Sequence, residues 1–481
     1  MYFEAVRLIE KIHGYCIKTK KTVKRKRRIK MANPYLPVWE YIPDGEPRVF
    51  GDRIYVYGSH DKAGSTRFCD HVLKCWSAST DDLEHWTCHG DIFHTKDDRD
   101  HLADADWAGE ENELYAPDVV EKDGKYYLYA YIVGAKGCVA VSEKPEGPFH
   151  LVSQYRYDMP EEVCVDGQFI DPGVLVDDDG RVYIYCGFQR SFAAEVNPQN
   201  MYEILPDTYV QDVIPIEPDV EHGFADEKSL FFEACSPRKI NGKYYLIYSP
   251  KQGSRLAYAV SDKPLGPFYY KGYIIDNEID YPGGNDHGSV VQIHDQWYIF
   301  YHKMTNGTIF SRRGCVEPIT LDDEGNFSTV EMTSLGFSKA LYPFEITQAE
   351  YACVLKNGPF ITEKNVLERV VTHILDGSVI GYKYFDFGED LASKTMEFAI
   401  KTDGRGCDSE IHIHLDSEDG KEIGTCLIGK EDGVYTTVVE RPTGRHAIYF
   451  TVQTSYPKDG WMATFFEGRE LFAMHSFTFM L

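Results

Sequence analysis

No stretch of this chain approaches the ~20 consecutive apolar residues a membrane helix needs, and its head lacks the apolar core of a secretory signal peptide. A soluble protein working in the cytoplasm, with no membrane partner, is the expectation. The twelve cysteines include no C-x-x-C pair and no regular spacing, so they offer no disulfide framework. Reduced thiols, most of them buried as small hydrophobes, follow. Positive charge is scarce as well: 50 Lys and Arg stand against 76 Asp and Glu, a net charge of −26. Residues 1–30 hold eleven of those basic residues against Glu4 and Glu10, so the remainder is more acidic than the whole. Such a body repels phosphate backbones, which argues against a nucleic-acid partner but leaves neutral sugars unhindered. The basic head has the look of a nucleic-acid arm or localisation signal. Lys26-Arg27-Arg28-Ile29-Lys30 ahead of Met31 is also what a purine-rich ribosome-binding sequence would spell if translated, and Met31 is the expected native start.

Strong helical periodicity is missing from residues 50–301, and in its place one phrase is written five times. Phe50-Gly51-Asp52-Arg53-Ile54-Tyr55-Val56-Tyr57, Asp123-Gly124-Lys125 to Tyr129, Asp179-Gly180-Arg181 to Tyr185, Asn241-Gly242-Lys243 to Tyr248 and Asp295-Gln296-Trp297 to Tyr301 each join a tight turn to an alternating aromatic and aliphatic strand. Asp-Gly and Asn-Gly are strong hairpin signals because these residues accept the positive φ of the turn. The period of roughly 60 residues suits one four-stranded sheet with its connections, the arithmetic of a propeller. A second echo follows the hairpins: Val139 to Pro145 with Gly147-Pro148-Phe149 matches Tyr258 to Pro264 with Gly266-Pro267-Phe268. From about residue 380 short alternating runs such as Glu410 to Leu415 and His446 to Val452 are separated by Asp/Gly-rich turns, as in an all-β sandwich. The predicted architecture is all-β, a five-bladed β-propeller over 32–345 followed by a β-sandwich of jelly-roll type over 346–481. Residues 1–31 form a basic extension, disordered or a mis-assigned start.

Six to nine residues before each turn stands a polar residue: Asp44, Asp118, Asp171, Glu233 and His287. An Asp beside a turn ordinarily caps it through its own backbone, but six to nine residues upstream it is out of reach for that work. Equivalent positions in equivalent hairpins should converge at one end of the propeller axis. Proteins tolerate crowded carboxylates mainly at functional sites or around cations.

These residues carry a resemblance. The chain is similar to glycoside hydrolase family 43, five-bladed propellers that cleave β-xylosides and α-L-arabinofuranosides with inversion. Its opening motif is matched by Asn33-Pro34 and Asp44 to Asp52, with Gly45 where that family has Pro. Its Asp-Pro segment is matched by Ile170-Asp171-Pro172-Gly173 and its acid-bearing strand by Glu233. The resemblance implies Asp44 as general base, Asp171 as modulator of the acid's pKa and Glu233 as general acid. It further implies Asp118 and Arg312 as substrate-binding residues. His287 corresponds to an axial histidine that often ligates a hydrated calcium, while an imidazole bonded only to water is the competing reading. No other cofactor is implied. Trp76, Trp107 and Phe188 are candidates to stack on a sugar face, although an aromatic in a propeller more often fills a blade core. Residues 350–481 resemble a family 6 carbohydrate-binding module through Phe385-Asp386-Phe387-Gly388 and Gly444 to Tyr449. Ala473 and His475 depart from that pattern where an Asn and an acidic residue are usual.

An inverting glycosidase on terminal xylose or arabinofuranose of short oligosaccharides is the function implied. The alternatives are a catalytically silent sugar-binding propeller, and another furanosidase such as a galactofuranosidase or a retaining fructan-type hydrolase.

Overall fold

The computed structural model describes residues 32–108, 112–133, 137–154, 156–157, 169–389, 393–454, 456 and 458–481. The basic head and the Met31 expectation lie outside them. The described chain is all-β apart from short 3-10 turns, and it divides into two compact units, Asn33–Met332 and Thr333–Leu481. Residues 333–345 go with the second unit because Ser334 and Leu341 hydrogen-bond the strand Val379–Asp386 through Lys383 and Tyr384.

The first unit contains five sheets in chain order, antiparallel except for one parallel pair, Glu203–Ile204 with Arg156–Tyr157, in the third. Their opening strands are Glu46–Phe50, Leu114–Lys122, Gly173–Val176, Phe231–Ile240 and Ser289–Ile293. Each opening strand pairs across the expected turn with a strand of the repeated phrase. The last tyrosine of each phrase explains the repetition. Tyr57, Tyr129, Tyr185, Tyr248 and Tyr301 are all buried, and a phenol buried without a partner would be costly. All five find one: Tyr57 donates to Pro145 O at 2.6 Å, Tyr129 to Met201 O at 2.6 Å and Tyr185 to Pro264 O at 2.6 Å, while Tyr248 donates to Ser229 O and Tyr301 to Glu317 Oε1 at 3.0 Å. Pro145 and Pro264 belong to the two matched echoes. In the first three sheets the repeated tyrosine is thus a contact by which one sheet grips the next, while Tyr248 and Tyr301 close the bond within their own sheet's segment.

The opening strands meet through a buried ion network. Arg48 donates from Nε and Nη2 to the Asp118 carboxylate at 2.9 and 2.5 Å and from Nη2 to Val174 O at 3.0 Å. Arg238 reaches Glu46 with Nη2 and Val290 O with Nε at 2.8 Å. One network therefore ties all five sheets. The strands approach so closely that a Cβ on Gly173 would meet Cys235 O at 2.1 Å, leaving room only for glycine. Asn33 ties the start of the unit to its last strand, Thr308–Ile319. Its side chain donates to Val316 O at 3.0 Å and accepts from Val316 N at 2.9 Å.

In the second unit two antiparallel sheets face each other. One runs Phe360–Asn365, Glu368–Ile374, Phe472–Met480, Thr395–Gly404 and Gly433–Glu440; the other runs Val354–Lys356, Val379–Asp386, Arg445–Thr454, Ser409–Leu415 and Glu422–Ile428. Phe398 and Phe477 from the first meet Phe450 from the second at 5.6 and 5.0 Å between ring centroids. The alternation read at Glu410 to Leu415 is real, since its residues switch between buried and half-buried. His475 is buried between Glu368 Oε1 at 2.6 Å and Asp403 Oδ1 at 2.9 Å, so both ring nitrogens are already engaged.

Replacing Asn33 by Ala strands the Val316 N–H and carbonyl in the interior. Urea unfolding followed by tryptophan fluorescence should show the first unit losing about 2–4 kcal/mol; an unchanged midpoint would contradict the tie.

Candidate active site

Asp44 and Asp171 each stand two residues before the strand residue that faces the buried tyrosine, since Glu46 pairs with Tyr57 and Gly173 with Tyr185. Both adopt positive φ, 55° and 52°, a region Asp tolerates better than most residues. Strain of that kind persists where the surroundings over-determine it. Glu233 gets its direction otherwise: the pairing of Phe231–Ile240 with Lys243–Pro250 slips on both sides of it, and the next residue, Ala234, has φ 62°. A bulge of this sort re-aims a side chain next to a functional site. Glu233 also forms a bridge to Phe188.

The surroundings push these carboxyls in different directions. Burial opposes charge on Asp44, yet the Arg312 guanidinium and His302 outweigh it and hold Asp44 well below the usual carboxylate range. Arg312 Nη1 donates to Asp44 Oδ1 at 2.8 Å, Ser59 Oγ donates to Oδ2 at 2.6 Å, and His302 Nδ1 lies 3.4 Å from Oδ1. Asp44 is a fixed anion. Burial raises Glu233 to about 7, helped by the Asp44 charge and opposed by a hydrogen bond from Asn285 and the charges of Arg312 and His302. Its Oε1 is buried and meets no hydrogen-bond partner. Asp171 is pushed well above its usual value, first by burial and then by Glu233 and Asp44. The negative charge that raises Glu233 is that of Asp44, and Asp171 is pushed in the same direction as Glu233. His287 Nδ1 lies 3.8 Å from Asp171 Oδ2, and burial lowers its pKa to about 4, so the ring is neutral.

The other expected residues divide. Asp118 pairs with Tyr129, level with Gly173 and not with Asp171. It accepts from Arg48, Val174 N and Val119 N, so its oxygens serve the ion network and not a sugar. Arg312 is buried and committed: its backbone N and Nε donate to Asp61 Oδ2 at 2.9 Å each and Nη2 to Oδ1 at 3.0 Å. It positions Asp44. Trp76 is 4% exposed and donates its indole N–H to Glu40 at 2.9 Å, and Trp107 packs on the core of the first two sheets. Both are core, as the rule for propeller aromatics had it. Phe188 is 42% exposed and sits edge-on to Phe232 at 5.3 Å, beside Glu233, which leaves it the one stacking platform among the three.

Sequence reading missed Asp61, Ser59, His302 and Asn285. None lies at the registered position before a turn; Asp61 and Ser59 follow the first hairpin, and Asn285 and His302 flank the fifth. His302 Nε2 lies 3.0 Å from Asn285 O, which orients the ring toward Asp44.

Calcium takes 6–8 oxygen ligands. His287 offers one nitrogen, and among the described residues no group of three His, Cys, Asp or Glu donors includes it. The residues there do not make a direct calcium shell, and no catalytic step is routed through one.

Residues 37–327 match the model of glycosyl hydrolases family 43, and residues 355–464 match that of the carbohydrate binding module family 6. A xylosidase/arabinosidase of Thermoclostridium stercorarium is 34% identical across 90% of this chain and 97% of its own length. A beta-xylosidase of Xylanibacter ruminicola is 32% identical, over 63% of this chain and all of its own. Among solved structures, a family 43 β-xylosidase/α-arabinofuranosidase from a compost metagenome, in complex with xylotriose and calcium-free, superposes with a TM-score of 0.51 at 28% identity, covering 63% of this chain and 98% of that one.

Because the Asp44 charge helps to raise Glu233, neutralising it with Asp44→Asn should lower the Glu233 pKa from about 7. Carbon-13 NMR titration of labelled glutamate side chains, with Glu233→Gln to assign the signal, reads this directly; an unmoved or raised pKa would separate the two sites.

Proposed function

The chain belongs to glycosyl hydrolases family 43, and on that footing we propose that it hydrolyses its substrates with inversion, with Asp44 as general base, Glu233 as general acid and Asp171 as the residue that modulates the acid's pKa and orients it. It is a glycosidase that removes xylosyl or arabinofuranosyl residues from xylan oligosaccharides. The five sheets are read as the five blades of a propeller with the three carboxyls at one end of its axis. A cytoplasmic location fits the ten free cysteines of the described residues, nine of them buried, and exo action on short oligosaccharides completes the reading.

The observation that carries the proposal is the opposed state of two carboxyls in one charge field. Asp44 is anionic under Arg312, Ser59 and His302, whereas Glu233 holds a proton close to neutrality with Oε1 unpartnered. Inverting enzymes need this pair on opposite faces of the sugar with room for one water between, a separation of roughly 6.5–9.5 Å. Asp44 takes a proton from the water as its oxygen attacks the anomeric carbon. Glu233 gives its proton to the departing glycosidic oxygen, and the bond between that oxygen and the anomeric carbon breaks. A silent lectin has no use for an acid tuned near 7.

Glu233→Gln should lower turnover of xylobiose by about 10²–10⁴ while affecting aryl glycosides with good leaving groups less; Asp44→Asn should slow both kinds alike. Equal losses with Glu233→Gln would reject Glu233 as the acid. A panel of aryl β-xyloside, α-L-arabinofuranoside and β-galactofuranoside identifies the sugar, and cleavage of none while sugars still bind would sink the enzyme reading. In wild type, kcat/KM should fall as pH rises through about 7, because Glu233 loses its proton there. The acidic limb should lie well below pH 4 because Asp44 stays ionised. A profile flat from pH 6 to 9 would contradict the assignment.

A further inference from the structure

We propose that His71, His94 and Asp98 form a binding site for one divalent transition-metal ion of the zinc class, separate from the hydrolytic residues. One nitrogen of each histidine and one carboxylate oxygen of Asp98 lie within 4.8 Å of one another. The backbone brings them together: Val72 pairs with His94 across the strands Val72–Ser79 and Asp82–His94, and Thr95 N donates to His71 O at 3.0 Å. The chain then folds back, with Asp104 N donating to His94 O at 2.8 Å and His94 N donating to Asp104 Oδ2 at 2.9 Å.

Each donor is prepared for a cation. His71 Nδ1 lies 2.6 Å from Asp70 Oδ1, so it carries the ring proton and leaves the Nε2 lone pair to the site. A carboxylate behind a histidine is the usual way a metal-binding imidazole is oriented. His71 Nε2 is buried and has no hydrogen-bond partner, and the same holds for His94 Nδ1, whose side chain is only 2% exposed. Asp98 spends Oδ1 on the backbone N–H of Asp100 and His101, at 3.0 and 2.9 Å. Its Oδ2 stands 3.3 Å from His94 Nδ1. Donors around a tetrahedral ion with bonds of about 2.0–2.1 Å are spaced by about 3.3 Å, so this edge already has the right length. Two imidazoles and one carboxylate suit zinc, cobalt or nickel, whereas calcium prefers oxygen throughout.

The site would brace the first sheet's loops. Asp70 also pairs with Lys62 at 2.6 Å and faces His60 at 3.8 Å, and the same segment carries Ser59 and Asp61, which hold Asp44 and Arg312. None of the three ligands takes part in the hydrolysis described above.

The test is calorimetric titration of the chelator-stripped full chain with zinc chloride, with calcium chloride in parallel and thermal unfolding as a second readout. The expected result is one zinc per chain and a raised Tm, with no calcium uptake that depends on these residues. Asp98→Asn and His71→Gln, each checked for folding by circular dichroism, should weaken zinc binding by at least about tenfold and abolish the rise in Tm. Absence of stoichiometric zinc binding to the stripped wild type, or undiminished binding in both variants, would overturn the proposal.

Discussion

The guanidinium of Arg312, buried and divided between Asp61 and Asp44, is the interaction on which the site depends. Taking three ionised groups out of water is expensive, and an apolar replacement of similar volume is often as stable. Removing only one member of such a pair costs about 3–5 kcal/mol because a charge is left bare. The arrangement therefore does more for chemistry than for stability. It fixes Asp44 as an anion, and that anion in turn helps to keep a proton on Glu233 a short way across the site. Arg312 thus fixes the charge of Asp44, while burial, helped by that charge and opposed by Arg312 itself, raises Glu233; two carboxyls pushed in opposite senses are what acid and base catalysis in one site requires.

The scaffold achieves this by repeating a contact and then breaking the repeat. Three of the buried tyrosines, Tyr57, Tyr129 and Tyr185, join each of the first three sheets to the next, and the network of Arg48, Asp118, Glu46 and Arg238 locks the opening strands. Where chemistry is needed the regularity gives way, to positive φ at Asp44 and Asp171 and to a bulge at Glu233. Those departures turn side chains that a regular ladder would send elsewhere, and the surrounding ladder pays for their strain.

The hairpins, the all-β class and the three carboxyls were legible in the sequence because turn chemistry and alternation are local signals. Counting residues back from the turns also found Asp44, Asp171 and Glu233. It misjudged Asp118, because the pairing slips between Tyr115 and Asp118 and a slip within a strand leaves no mark in the composition. Arg312 was found but given a sugar to hold, since its two acidic partners lie more than two hundred residues away in the chain. Asp61, Ser59 and His302 were invisible for the same reason: they act through contacts made only in the folded protein. Trp76 and Trp107 show that an aromatic side chain names its size, not its neighbours.

The direct test of the account is the configuration of the first sugar released. Proton NMR during hydrolysis of an aryl β-xyloside, or of the preferred glycoside should the enzyme favour another, reports the anomer before mutarotation. Asp44 acting on water, with Glu233 protonating the leaving oxygen, predicts inversion, so that a β-xyloside yields α-xylose first. Initial release of β-xylose would mean that a carboxylate attacks the sugar directly, and would contradict the roles assigned here.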